Sequence, residues 1–292
     1  MRDRHYLQVM DCSRVLGRAG RKLRSIIVVA LVGLTVSCDD PVLKPALIVI
    51  RSANDIVSVQ GKWVRPIVYS NAFDFGSLTV SRKKKKFIQM MVPAILLVKH
   101  NIAVDRSRVG HLIWRIENEE HLDAGDSIFL NEKIKEYNAG NAKDLYQRMA
   151  THPTSIVLAQ AAIESGWGSS RFFKEANNLF GIWSYNEAES RIKAGQGRES
   201  GDIYVRKYPD INASIEDYFK TLARVNAYAK FRSQRQTLED PYKLIYFLNR
   251  YSERKYKYVA DLSQVMKKNN LTQYDSLKLD PSYYRENDKI TF

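Results

Sequence analysis

The sequence predicts a mainly α-helical protein of the α+β class, with a small β-hairpin lobe. Two patterns favour helices: Ile156, Ala159 and Ile163 recur at helical spacing, and residues 87–98 form an almost uninterrupted apolar run. In a third pattern, residues 203–208 alternate after a glycine-rich stretch, which is typical of a hairpin strand. A chain of 292 residues with 45% hydrophobic side chains can bury a core of this kind.

Residues 1–37 have the features of an export signal. Basic side chains between Arg14 and Arg24 precede residues 25–36, which contain no charge and are too short to span a membrane as a helix. Small residues then precede Cys38, which resembles a bacterial lipoprotein processing site, and the acidic residue after it resembles an inner-membrane retention signal. We therefore predict a signal peptide, lipidation at Cys38, and a periplasmic protein anchored at the inner membrane. The alternative is a plain signal peptide in which Cys38 is incidental.

The segments that flank the motif-rich part of the chain are expected to differ in how much regular structure they contain. Residues 38–81 are predicted to be a linker, because prolines and a glycine interrupt their short apolar runs. Residues 82–149 are predicted to form a helical N-terminal region that includes a buried helix over 87–98, interrupted by Pro93. Residues 266–292 are predicted to be a C-terminal tail.

The composition restricts the classes of partner. Lys and Arg number 46 against 32 Asp and Glu, and the resulting charge of +14 favours an anionic partner such as nucleic acid, a membrane or an acidic polymer. No nucleic-acid recognition motif is present, and an export signal argues against that partner. The cysteines, Cys12 and Cys38, and the five scattered histidines have no metal-ligand spacing. We therefore predict neither a metal nor another cofactor.

Glu164 is the main candidate for catalysis. Pro153 lies near the start of a predicted helix, and Gly166 is a natural left-handed cap at its end, so Glu164 is on the last helical turn. The negative end of the helix dipole and apolar neighbours such as Trp167 both disfavour an ionised carboxyl. A carboxylic acid that stays protonated near neutral pH can protonate the leaving oxygen of a glycosidic bond. The alternative is an exposed glutamate at a helix end.

Two motifs resemble those of a known family. Residues 159–172 read Ala-Gln-Ala-Ala-Ile-Glu-Ser-Gly-Trp-Gly-Ser-Ser-Arg-Phe, and residues 177–182 read Asn-Asn-Leu-Phe-Gly-Ile. They resemble the glucosaminidase domain of flagellar and autolytic enzymes, and most closely the bacterial Bax proteins. The resemblance is dense over residues 150–265, and the helical region from about residue 82 also resembles the N-terminal part of Bax proteins. It implies a lysozyme-like fold with a small β-lobe. It further implies an endo-β-N-acetylglucosaminidase that cleaves the β-1,4 bond after N-acetylglucosamine in peptidoglycan glycan strands, with Glu164 as the acid.

A second acid is expected on the β-lobe, where the family carries one. The candidates are Glu187, Glu189, Glu199 and Asp202, and we select Glu199 because it lies beside the predicted turn. The family's usual Thr-Glu-Tyr context around this acid is not present in the sequence. The alternative is that the 2-acetamido group of the substrate assists the reaction in place of a second acid.

Tyr251 is a third catalytic candidate. With Ser252 it matches the start of a family motif that usually reads Tyr-Ala-Thr, followed by Asp-Pro and a second tyrosine. The Asp-Pro pair is missing here, and either Tyr256 or Tyr258 can stand for the later tyrosine. A phenol at Tyr251 could orient the acetamido group or the water, and the alternative is a tyrosine packed in the core.

Five residues are predicted to contact the substrate. Trp167, Trp183 and Tyr204 are cleft-lining candidates because sugar faces stack on aromatic rings. Asn178 and Phe180 lie in the 177–182 motif, where the preferred interpretation is a loop that supports Glu164 from behind. We carry both as substrate-binding candidates as well.

The leading hypothesis is a lytic glucosaminidase, and two other functions compete with it. A non-catalytic protein that binds or scaffolds the cell wall could use the same fold, and the missing motif residues favour it. An amidase that cuts the peptide stem is less favoured, since such enzymes commonly use zinc and no ligand set is present.

Overall fold

Helix α1 (Val80–Glu117) is the long central element of the computed structural model, which describes residues 42–196 and 202–285. All its residues from Phe87 to Val98 are buried, as expected from the apolar run, and the helix continues through Pro93. Helices that follow in the chain pack along it, so α1 forms one wall of the hydrophobic core.

Three predictions fall outside the described residues. These are the signal peptide over residues 1–37, the lipidation of Cys38, and Glu199 as the second acid.

Among the described residues, α1 is also the one helix long and apolar enough, by length and composition, to cross a membrane. The side chains in its apolar window are 72% buried inside the protein. Packing against other helices therefore accounts for its apolar composition without a bilayer.

Helix α4 (Thr154–Glu164) is the most deeply buried of the shorter helices, with every residue from Thr154 to Ala162 buried. Its alanines allow α1 and α9 to approach it closely. The described part of the chain contains eight α-helices besides α1: α2 (Ala124–Glu136), α3 (Ala142–Arg148), α4, α5 (Arg171–Ala176), α6 (Ile211–Arg224), α7 (Ala229–Gln234), α8 (Pro241–Leu244) and α9 (Tyr256–Lys268).

Very short strands lie before α1 and after α9, and two of their three pairings join the segment before α1 to the segment after α9. In the described ranges these strands are β1 (Val42–Leu43), β2 (Ala46–Ile48), β3 (Trp63–Val64), β4 (Ile67–Tyr69), β8 (Lys278–Leu279) and β9 (Tyr284–Arg285). Strand β1 pairs antiparallel with β9, β3 pairs parallel with β8, and β2 pairs parallel with β4.

This pairing departs from the linker and tail expected from the sequence. Residues 42–79 and 266–285 are parts of the folded body, and Leu271 and Tyr69 are buried in its core. Two- and three-residue strands produce no readable alternation, which is why the sequence did not reveal them.

The β-lobe is a three-stranded antiparallel sheet in the order β5–β7–β6, formed by β5 (Trp183–Ser184), β6 (Arg191–Gln196) and β7 (Asp202–Arg206). A register shift between Lys193 and Gly195 bulges β6. The lobe and the surrounding helices confirm the predicted class, a mainly helical α+β fold with a small hairpin lobe.

Candidate active site

Glu164 is the last residue of α4, where the helix gives way to a tight left-handed turn. The next residues with positive φ are Gly166 (58°), Trp167 (58°) and Gly168 (76°). A Cβ at Gly168 would lie 2.4 Å from a ring carbon of Phe75, so only glycine fits there. The turn is thus fixed by close packing against the segment that precedes α1, and it fixes the end of the helix that bears the carboxyl.

Burial raises the pKa of the Glu164 carboxyl above its ordinary value. A hydrogen bond with Tyr258 and the positive charge of Arg254 oppose this shift without cancelling it. The direction agrees with the need for an acid that holds its proton at higher pH than a solvent-exposed glutamate does.

A buried chain of hydrogen bonds leads to Glu164. His152 Nε2 lies 2.9 Å from the Tyr218 hydroxyl, which donates to Gln160 Oε1 at 2.6 Å. Gln160 Nε2 donates in turn to the Tyr258 hydroxyl at 3.2 Å, and Tyr258 is hydrogen-bonded to Glu164. Gln160 and Tyr258 are both 0% exposed, so water does not compete for these bonds.

The order of donors along this series of hydrogen bonds decides which atom of each group carries the hydrogen. Because the Tyr218 hydroxyl donates to Gln160, its oxygen accepts from His152, whose Nε2 therefore carries the proton. Burial lowers the pKa of His152 well below its usual range, which agrees with a neutral ring. At the other end, the Tyr258 oxygen accepts from Gln160, so its hydrogen is free to be donated to Glu164.

Tyrosines surround the carboxyl on the side of α9. Tyr251 stacks on Tyr258 with ring centroids 5.6 Å apart and planes 11° from parallel, and it lies 6.0 Å from the ring of Tyr228. The negative charge of Glu164 contributes to raised pKa values for the phenols of all three, with burial as the larger cause. The structure thus brings Tyr251 and Tyr258 to Glu164.

Of the two tyrosines left open by the sequence, only Tyr258 is hydrogen-bonded to Glu164. Tyr256 is 53% exposed and contacts Tyr246 on the outer surface. Sequence reasoning also missed His152, Tyr228 and Gln160 as members of the site. Gln160 stands four residues before Glu164, one helical turn away, and that spacing was a usable signal.

Trp167 packs away from the expected cleft position. Its ring makes an edge contact with Phe87 at 5.8 Å, and the Lys84 ammonium lies 5.0 Å above it. These contacts attach the turn after α4 to α1. A sugar-stacking role for Trp167 therefore stays a prediction, while its structural role is visible in the packing.

Asn178 and Phe180 do not fit the substrate-binding role that we assigned to them. Asn178 is 1% exposed, and its amide donates to the carbonyls of Ile182 and Arg206 at 3.0 and 2.9 Å and accepts from the Ile182 N–H at 3.0 Å. Phe180 is 5% exposed and stacks on Tyr218 at 4.3 Å. Both side chains are committed to the interior, so the geometry supports the alternative, a loop that braces the β-lobe and the Glu164 hydrogen-bond chain.

Trp183 and Tyr204 lie on opposite faces of the β-lobe. Trp183 pairs with Val205 and Ser184 pairs with Tyr204, and side chains alternate between faces along a strand. Trp183 is 50% exposed beside the still more exposed Tyr185, whereas Tyr204 is half-buried under the Arg191 guanidinium. The two rings therefore cannot share one surface of the sheet, and the pair Trp183 and Tyr185 is the better placed for stacking on a sugar.

The described acids of the lobe are all paired with cations. Glu189 contacts Arg206 at 3.0 Å, Asp202 contacts Lys193 at 2.7 Å, and Glu187 contacts Arg191 at 3.1 Å. Glu199, the selected second acid, lies outside the described residues. Within those residues, no cluster of three His, Cys, Asp or Glu side chains could hold a metal ion.

Comparisons with known proteins point to one family. Residues 139–271 match the glucosaminidase family model, described as mannosyl-glycoprotein endo-β-N-acetylglucosaminidase. The chain is 27% identical over 166 residues to the protein Bax of Escherichia coli, which is 53% of this chain and 56% of that protein. It is 31% identical over 157 residues to a probable N-acetylmuramidase of Lactococcus lactis subspecies cremoris, or 50% of this chain and 35% of that protein.

A solved structure is also similar to part of the chain. The catalytic domain of the autolysin Auto from Listeria monocytogenes is 27% identical, with a TM-score of 0.37, over 53% of this chain and 90% of that one. The region matched by the family model includes α4 and the turn after it. The chain spans about a third to just over a half of the length of the two curated relatives.

Proposed function

We propose that this Bax-like protein, which has a glucosaminidase-family domain over residues 139–271, is an exported peptidoglycan hydrolase. The bond that it cleaves is the β-1,4 bond after N-acetylglucosamine. One observation supports the proposal above all: Glu164 ends the buried helix α4 with a raised pKa, directly hydrogen-bonded to Tyr258.

In this proposal Glu164 acts as the general acid. Its protonated carboxyl donates to the oxygen that links the two sugars as the bond breaks, and the resulting carboxylate accepts the Tyr258 hydrogen bond. In the same proposal Tyr251 orients the 2-acetamido group or the attacking water.

The water is activated by a second group. Glu199 is the proposed base or nucleophile, and the substrate's acetamido group is the alternative. Glu189 and Asp202 are weaker candidates, since each is held in an ion pair on the lobe. In the two-acid mechanism, carboxyls about 5–5.5 Å apart would retain the anomeric configuration and carboxyls about 6.5–9.5 Å apart would invert it.

The proposed location is the periplasm, after export directed by residues 1–37. Lipidation at Cys38 would tether the protein to the inner membrane, within reach of the glycan strands. Residues 1–37 carry seven basic and two acidic side chains, so their removal leaves a net charge of +9 from the +14 of the whole sequence. This charge favours approach to the acidic peptides of the wall and to anionic lipids.

Analysis of the soluble products from purified peptidoglycan tests this function. Wild-type protein is expected to release fragments with N-acetylglucosamine at the new reducing end, whereas a muramidase would leave N-acetylmuramic acid there. Glu164→Gln is expected to lower the rate by on the order of 10²–10⁴-fold, because the acid is lost while the shape is kept. Glu199→Gln, compared with Glu189→Gln, tests the second acid in the same assay.

A non-catalytic wall-binding protein remains the competing function, favoured by the absence of Asp-Pro after Tyr251. It predicts intact glycan after incubation, with wild type and Glu164→Gln sedimenting equally well with sacculi. That pair of results would contradict the enzymatic proposal and support the wall-binding function.

A further inference from the structure

A groove lies on the protein surface beside the tyrosines that surround Glu164, namely Tyr228, Tyr251 and Tyr258. Its walls are the segment 226–230 at the start of α7, the turn 246–250 after α8, and Tyr256 at the start of α9. It encloses about 460 Å³.

Two adjacent tyrosine rings form an aromatic surface at the rim of the groove. Tyr246 and Tyr256 are 54% and 53% exposed, and their rings lie 5.1 Å apart with planes tilted by 36°. The Tyr256 hydroxyl is hydrogen-bonded to Tyr246, which holds the two rings as one unit. These adjacent exposed rings give the groove an apolar surface against which a ligand can pack.

Two cations line the groove without acidic partners. Lys230 and Arg250 are both exposed, and neither forms an ion pair with any described residue. The 260 Å³ cavity beside the β-lobe is different, because its Arg206 is neutralised by Glu189 and Asp217. No carboxylate is among the groove's lining residues, so its charge complements an anion.

The same backbone segments serve both the groove and the site around Glu164. Tyr228 points inward toward Glu164, while Lys230, two residues later, lines the groove. Arg250 lines the groove and is followed directly by Tyr251, which stacks on Tyr258. Residues that line the groove are therefore close in the chain to residues of the Glu164 site.

We infer that this groove binds the carboxylate-bearing stem peptide of peptidoglycan, with Lys230 and Arg250 pairing with its carboxylates and Tyr246 packing against its apolar part. The inference rests on the proposed function, since it takes the substrate to be peptidoglycan. It makes the groove a specificity site that distinguishes peptide-bearing strands from bare glycan. Asn249, at the groove wall, supplies an amide for the peptide backbone.

Binding measurements on the full-length chain test the inference without requiring turnover. In the Glu164→Gln background, NMR titration would compare two probes: the disaccharide of N-acetylglucosamine and N-acetylmuramic acid with its stem tetrapeptide, and the same disaccharide without the peptide. The peptide-bearing probe is expected to bind about 5–10-fold more tightly, as two exposed ion pairs would provide. Added salt is expected to reduce this preference.

Lys230→Ala combined with Arg250→Ala is expected to abolish the preference. The matched control, Lys135→Ala with Lys278→Ala, removes two exposed positive charges elsewhere and is expected to keep it. Equal binding of both probes by the parent protein, or a preference that survives the groove substitutions, would overturn the inference. Glycan cleavage with no such preference would leave the proposed function standing alone, and the preference without cleavage would leave the groove as part of a binding protein.

Discussion

Replacing Tyr258 with phenylalanine removes a single hydroxyl group from the surroundings of Glu164. That hydroxyl accepts from Gln160 Nε2 at 3.2 Å and is hydrogen-bonded to the carboxyl. A hydrogen bond to a charged group contributes about 1.5–3 kcal/mol, and here it stabilises the ionised form. Its loss is therefore expected to move the pKa of Glu164 further upward.

The consequence for activity follows from the role of the acid. A general acid works in its protonated form, so activity falls as the pH rises through its pKa. In Tyr258→Phe the alkaline limb of the pH–rate profile is expected to move to higher pH. The maximal rate is expected to fall as well, because the carboxylate formed in the reaction has lost its donor.

The same substitution has a cost in stability. Gln160 is 0% exposed, and without Tyr258 its amide donor has no partner. An unsatisfied buried donor costs about 1–3 kcal/mol, whereas the ring itself keeps its volume. At about 2–4 °C per kcal/mol for a chain of this size, thermal unfolding is expected to begin several degrees lower.

The assay pairs a pH–rate profile with an NMR titration of the Glu164 side-chain carbon. Tyr228→Phe is the matched control: this phenol also lies near Glu164 but forms no hydrogen bond with a described residue. Its removal is expected to leave the alkaline limb close to that of the wild type. A Glu164 pKa that stays unchanged or falls in Tyr258→Phe would refute the assignment of Tyr258 as a donor to the carboxyl.

Two other substitutions test stability. Burial raises the pKa of Glu164 in the folded protein above its ordinary value of 4.5. The group's contribution to stability is therefore complete below pH 4.5 and is lost as the pH rises through the folded-state pKa. Glu164→Gln is expected to unfold at a higher temperature than wild type at neutral pH, with a smaller difference below pH 4.5, and equal unfolding temperatures of the two proteins at both pH values would contradict this. Asp275→Ala removes the carboxylate that accepts from the Ser155 N–H at 2.7 Å and its hydroxyl at 2.8 Å, and should destabilise the protein by about 1–2 kcal/mol in a denaturant titration. Asp280→Ala is the control and should have a smaller effect, because it removes one hydrogen bond, to the Ser282 N–H, at the start of a one-turn 3₁₀-helix.

The position of Glu164 could be predicted because the signals are local. Apolar spacing identifies α4, and Gly166 identifies its end, all within a dozen residues. The hydrogen-bond chain could not be found this way. Its links join residues 58 to 98 positions apart, and only the packing of α6 and α9 against α4 brings them together.

The choice between Tyr256 and Tyr258 shows where local reasoning ends. Both stand after Tyr251 at a spacing close to that of the family motif, and the sequence has no Asp-Pro to fix the alignment. The two differ by about 200° around α9, because a helix turns by 100° per residue. In the structure Tyr258 faces the core and Tyr256 faces solvent. Which of the two faces the core depends on the residue at which α9 begins.

Both ends of α4 are held by residues outside the 139–271 region that matches the family. Asp275 caps the N-terminus of the helix, and the partly buried Lys99 of α1 donates to Thr154 there at 3.3 Å. At the other end, the turn after Glu164 rests on Phe75 through Gly168 and on Phe87 through Trp167. The N-terminal region and the strands after α9 therefore act together as a clamp on the helix that bears the acid. It follows that the unit needed to position Glu164 extends well beyond the matched region, on both sides of it.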